Sequence, residues 1–109
     1  MSDEFGVILD KNTFVPGETL TGNAGWSFAE RPKKGYIRLF WRAHGERDED
    51  VRIVEEISVD LPQAAQVLPF AFALPNEPYT YDGTLFSIHW GVEFVLDHHS
   101  DVAEFSVRG

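Results

Sequence analysis

Apolar and polar side chains alternate along most of the chain with a period of two, the spacing of a β-strand with one buried face. The clearest case is residues 85–97, LFSIHWGVEFVLD. Phe86, Ile88, Trp90, Val92, Phe94 and Leu96 fall on one side, while Leu85, Ser87, His89, Gly91, Glu93, Val95 and Asp97 fall on the other. A helical period would scatter the apolar set around the axis. Residues 36–44, YIRLFWRAH, repeat the pattern, with Ile37, Leu39, Trp41 and Ala43 opposed to Tyr36, Arg38, Phe40, Arg42 and His44.

The remaining runs are shorter or less regular. In residues 51–60, Val51, Ile53, Ile57 and Val59 share a face that Glu55 interrupts, which predicts a bulged or edge strand. Leu68, Phe70, Phe72 and Leu74 align, with Pro69 on the opposite parity. Its missing N–H again points to an edge or a bulge. Phe5, Val7 and Leu9 near the start, Leu20, Gly22, Ala24 and Trp26 next, and Ala103, Phe105 and Val107 at the end complete the set. Turn-forming residues separate these runs at 30–35, 46–50, 76–83 and 98–101. In Val15-Pro16-Gly17-Glu18, Pro16 fixes φ at the first central position and Gly17 is free to take φ > 0 at the second, as a type II turn requires. No amphipathic helix, internal repeat or low-complexity tract interrupts the pattern. About seven short strands with regular turns predict an all-β, antiparallel sandwich, with a closed barrel as the other architecture.

Three of these stretches, taken in order, resemble the arrestin-like superfamily. Residues 8–22, ILDKNTFVPGETLTG, are similar to its strand, aromatic, Pro-Gly-Glu and second strand ending in Gly. Residues 68–83, LPFAFALPNEPYTYDG, are similar to its F-x-F-x-L-P followed by a short loop, a Tyr and a Gly. Residues 86–97, FSIHWGVEFVLD, resemble its long strand, and Phe105 and Val107 its closing one. The resemblance implies an immunoglobulin-like sandwich that acts in protein–protein contact without catalysis. Arrestins pair two sandwiches, whereas this chain has room for one. The family's phosphate-sensing lysines have only Lys11 as a counterpart in this chain, and no receptor- or phosphate-binding residue carries over.

Composition narrows the function further. A chain of 109 residues suits one domain over 1–109, burying roughly 65% of its unfolded surface, so no metal or disulfide is needed for folding. The absence of cysteine excludes disulfides, thiolate zinc sites and cysteine nucleophiles. No apolar run approaches the roughly 20 residues of a membrane helix, and the acidic start MSDEFGV is unlike a signal peptide; both suggest a cytoplasmic protein. The net charge is −9, yet seven of the nine Lys and Arg lie between Arg31 and Arg52, and none between Ile53 and Val107. Nucleic acid needs a broad basic face, and one basic edge does not supply it.

Candidate chemistry is sparse. Asp97-His98-His99-Ser100-Asp101 has metal-ligand residue types in a predicted turn, and a small-molecule or metal-binding domain using His98, His99 and Asp101 is the alternative functional reading. The expectation, however, is no metal and no cofactor, because a hairpin favours these residues anyway. Glu55-Glu56 and Asp48-Glu49-Asp50 read as solvated carboxylates. Ser27, Ser58, Ser87 and Ser106 lack the context of a nucleophile, and the glycines of TLTGNAGW match no phosphate loop, so no enzyme is expected. The outward side of the two long central strands is more suggestive. Adjacent in a sandwich, they display Tyr36, Arg38, Phe40, Arg42, His89 and Glu93, a mixture typical of interface centres. Arg38 or Arg42 is positioned to pair with Glu93 across the strands. The competing expectation is that the 76–83 loop covers Tyr36 and Phe40. These residues make up the candidate site for a partner protein or a second copy of the chain, with an exposed sheet edge as the other route.

Overall fold

The computed structural model describes residues 3–109 and is built of strands alone. These are β1 (Glu4–Leu9), β2 (Thr13–Phe14), β3 (Thr19–Ser27), β4 (Lys34–Gly45), β5 (Glu49–Asp60), β6 (Ala65–Ala73), β7 (Tyr81–Asp82), β8 (Phe86–Leu96) and β9 (His99–Val107). Two sheets face each other. The smaller has the order β1-β3-β6, and the larger β2-β9-β8-β4-β5, with β7 pairing β8 beyond the end of β9. Seven strands are long; β2 and β7 are two residues each. All pairs are antiparallel except β2 with β9. This is the expected immunoglobulin-like sandwich.

The alternation seen in the sequence becomes two inner faces. Val7, Leu20, Ala24, Trp26, Phe70 and Phe72 come from the smaller sheet, and Ile37, Leu39, Val59, Trp90, Val92, Phe94, Leu96, Phe105 and Val107 from the larger. All are buried, and several of their rings touch: Phe94 stacks on Phe5 at 4.6 Å, and Phe14 meets Phe105 edge-on at 5.4 Å. The β4–β8 pair is longer than any strand of the smaller sheet. At its Gly45–Phe86 end the inward-facing Trp41, Ala43 and Ile88 are accordingly only half-buried.

Both edge expectations hold. β6 borders the smaller sheet, with Pro69 opposite Asn23, and β5 borders the larger. In β5 the register slips: Glu55 lies opposite Leu39 but Ile53 lies opposite Phe40, which leaves Val54 as the bulged residue. The bulge also corrects the sequence reading. Ile57 and Val59 face inward as expected, but Val51 and Ile53 turn to the outer face, beside Arg42 and Phe40. An extra residue in a two-residue repeat reverses every position beyond it.

The Pro-Gly-Glu turn lies between β2 and β3. Chain 10–18 does not simply join β1 to β3; it crosses to the larger sheet to form β2. Gly17 has φ 81°, and the Glu18 amide donates to the Val15 carbonyl over 3.1 Å, closing a type II turn. The Glu18 carboxylate accepts from the Val15 amide and pairs with Lys11. Those bonds, with Lys11 the larger influence, hold its pKa below the usual carboxylate value. Valine at position 17 resists φ > 0, and its Cβ would also meet the Asn76 side chain at 3.2 Å. We expect Gly17→Val to destabilise the fold by about 1–3 kcal/mol and Gly17→Asn by less, since Asn tolerates left-handed backbone. Urea denaturation of the two variants checks this; equal losses would refute the φ argument.

Candidate functional site

The register of the larger sheet places the predicted residues on one surface. β4 and β8 are neighbours over their full length, with Arg38 opposite Glu93, Phe40 opposite Gly91 and Arg42 opposite His89. β5 adds Glu56 opposite Arg38, Ile53 opposite Phe40 and Val51 opposite Arg42. On the far side β9 adds Val102 opposite Glu93 and Glu104 opposite Gly91. The outer face thus has rows running across four strands: Ile53–Phe40–Gly91–Glu104 and, one step along, Glu56–Arg38–Glu93–Val102.

Phe40 is the centre of this face. Gly91 has no side chain, and the Phe40 ring lies across the vacant place, so that a Cβ at Gly91 would meet it at 2.8 Å and Val102 at 3.4 Å. The result is an apolar ridge of Phe40, Val102 and Ile53, with Val51 continuing it on β5. Val51, Ile53 and Val102 remain 51%, 49% and 44% exposed. A depression flanks the ridge on each side. One, of about 380 Å³, includes Lys33, Lys34, Tyr36, Glu56, Val95 and Asp97 in its lining. The other, of about 330 Å³, is lined by Arg42, His44, Glu49, Ser87 and His89.

The charged groups are fixed in part. The Arg38 guanidinium stacks 3.6 Å from the Tyr36 ring centre, and its Nε donates to Glu56 Oε1 at 2.5 Å. That bond raises the Arg38 pKa above its ordinary value. The sequence had set Arg38 or Arg42 against Glu93. Arg38 does lie opposite Glu93, but it bonds Glu56 on its other side, and Arg42 is shared loosely between Glu104 at 3.4 Å and Glu49 at 3.9 Å. Among the described residues Glu93 makes no ion pair. His89 Nε2 lies 2.9 Å from Asp82 on β7, and this hydrogen bond, helped by Arg108, holds the Asp82 carboxyl below its usual pKa.

Segment 76–83 does not blanket the face. Pro78 accepts from the Trp90 indole, the Thr80 hydroxyl from the Val107 amide, and Tyr81–Asp82 pair with Ile88 and Ser87. The segment closes the Trp90 end of the core and reaches the candidate site only at His89.

The His98–Asp101 cluster is organised differently from the expected loop. The hairpin is tighter, with Asp97 and His98 at the turn and His99 to Asp101 already in β9. The His99 ring stacks on Phe28 at 4.6 Å, and Asp101 accepts from the Val7 amide at 2.9 Å, bridging β9 to β1. Asp97, at φ 53°, receives the Lys33 amide at 3.0 Å and the Lys34 amide at 3.2 Å. Among the described residues no group of three His, Asp or Glu is placed to hold a metal.

Of the edges, β5 is long but carries Glu49, Asp50, Glu55, Glu56 and Asp60 together with the bulge, and β6 has Pro69. Charge, bulges and proline are the features by which strands resist edge-to-edge pairing.

Comparisons with known proteins bear on the fold. No protein-family model matches the chain, and no curated protein matches it in sequence. Among solved structures it is similar to the sporulation control protein Spo0M from Bacillus subtilis, with a TM-score of 0.68 and 15% identity over 100% of this chain and 50% of that one. It is also similar to part of the β-glucosidase EmGH1 from Erythrobacter marinus (TM-score 0.57, 13% identity, 98% of this chain and 15% of that one). A β-glucosidase from Listeria innocua gives a TM-score of 0.54 at 19% identity, with 98% of this chain and 16% of that one covered. The chain spans about half the length of Spo0M and a small fraction of either glucosidase. At these identities the likeness is one of fold alone, and it accords with the β-sandwich described above.

The Asp97 bonds give a pH prediction. Donation from the Lys34 amide first, and from Lys33 next, lowers the folded-state pKa. The stabilisation is therefore complete above the unfolded value of about 4 and is lost as pH falls through the lower folded value. We expect Asp97→Asn, which keeps a residue tolerant of the turn, to be less stable than wild type at neutral pH. The gap should narrow below about pH 4. Denaturation curves across that range check it, and a pH-independent gap would contradict it.

Proposed function

We propose that the chain is a non-catalytic protein-interaction module that binds a partner protein, or a second copy of itself, through the outer face of β5-β4-β8-β9. The observation that carries this reading is the Phe40 ridge: contiguous apolar side chains, half-exposed, on a regular sheet, with Tyr36, Arg38, Arg42, His89 and Glu93 around them. Isolated exposed apolar residues are ordinary; a contiguous patch bordered by Arg and Tyr has the composition of an interface centre. A rigid sheet also loses little entropy on binding.

Two further observations favour binding over catalysis. Glu55 and Glu56 lie opposite Leu39 and Arg38, on opposite sides of β5, so they do not converge on one substrate. Asp101 is engaged by the Val7 amide. The likeness to a sporulation control protein accords with a regulatory role; no helix among the described residues is long and apolar enough to cross a membrane.

Affinity capture from a native lysate with wild type and Phe40→Asp as baits tests the proposal. A partner, or the untagged chain itself, should be retained reproducibly by wild type and reduced at least about tenfold with Phe40→Asp, as befits loss of a central apolar contact. Equal retention by both baits, or none by either, would overturn it.

A further inference from the structure

Charge and register on this face select one of those occupants. Arg38 gives only its Nε to Glu56; among the described residues its terminal Nη groups make no hydrogen bond. Glu93, opposite it, is half-buried and has no ionic partner among the described residues. An available donor and an available acceptor thus sit side by side on neighbouring strands. A two-fold axis running along the strands, between β4 and β8, exchanges the positions that the ladder opposes.

We propose that this face is a homodimer interface whose occupant is the same face of a second copy, related by that axis. The proposal rests on the interaction reading above and names its partner. Arg38 then stands over the partner's Glu93, and Glu93 over the partner's Arg38, two charge-complementary contacts from one symmetry element. One register step away the Phe40 ridges meet at the centre, and the β5 row with Ile53 lies over the partner's β9 row. A crossing of about 30°, usual for stacked sheets, is compatible with this pairing near the axis.

Charge and size also fit. The chain as a whole is strongly acidic, but four of its cations, Lys33, Lys34, Arg38 and Arg42, lie on or beside this face. Glu49, Glu56, Glu93, Glu104 and Asp97 lie there too, so opposite charges are interspersed on this face and can pair across the axis. Four strands about 4.8 Å apart and nine residues at about 3.4 Å span roughly 600 Å² before side-chain relief is added. A stable dimer needs about 800 Å² of accessible surface per partner.

Sedimentation velocity at about 100 µM tests the proposal, a concentration that detects micromolar dimers. Wild type should sediment as a dimer and Phe40→Asp as a monomer, with unchanged circular dichroism showing that the variant is folded. Glu93→Arg and Arg38→Glu, each alone, should dimerise at least about tenfold more weakly, since each brings like charges together across the axis. An equimolar mixture of these two variants should dimerise again, because Arg38 of one chain then faces Glu93 of the other and the two introduced charges also match. A monomeric wild type, a dimer indifferent to Phe40→Asp, or a mixture no tighter than its components would overturn the dimer. If wild type is monomeric yet captures another protein in a Phe40-dependent way, the dimer fails and the interaction reading stands. If neither is seen, both fail.

Discussion

Two indole N–H groups set much of this structure. A sandwich core of this size takes in Trp26 from the smaller sheet and Trp90 from the larger, both almost fully buried. Each brings a donor that costs about 1–3 kcal/mol if left unpaired away from water. Trp26 donates to the Gln63 carbonyl at 2.8 Å and Trp90 to the Pro78 carbonyl at 2.9 Å. Both acceptors lie in connections between the sheets, from β5 to β6 and from β6 to β7. Core and crossovers thereby specify one another. The second connection, held at Pro78, delivers Asp82 to His89 at the margin of the outer face.

Much of this was legible from periodicity. The inward sides of β3, β4, β8 and β9 follow directly from alternation, because both the pleat and the one-sided core have a period of two. Gly17 was legible because one turn type demands it. The elements that escaped are those too short for any period: β2 and β7 have two residues each, and their existence depends on what they pair with. His99 and Asp101 look like loop residues by type. Only the tight Asp97-His98 turn, set by the length of two paired strands, draws them into β9.

The outer face was legible as a set of residues and illegible in its pairing. Alternation assigns Arg38 and Glu93 to one side of neighbouring strands, but the choice between Glu93 and Glu56 depends on β5, whose register the bulge resets. Ile53 and Val51 reach the face for the same reason. Their parity in the sequence matches that of Ile57 and Val59, and nothing in side-chain type distinguishes them. Glu55, where the apolar alternation falters, is the one local sign that the strand changes sides there.

That bulge gives the length of β5 a meaning separate from its composition. Loss of a single codon at position 54 would make the pairing with β4 regular and leave Ile53 opposite Phe40 and Val51 opposite Arg42, whereas a β5 that kept Val54 but lost the bulge would swing Val51 and Ile53 inward and bring Arg52 and Asp50 out. In the second case Arg52 and Asp50 would take places on the outer face without a change in any side chain. For homologous sequences, the gap pattern opposite Phe40 therefore carries as much information about this surface as the residues themselves, and an alignment that closes such a gap for tidiness would join residues that lie on opposite sides of the sheet.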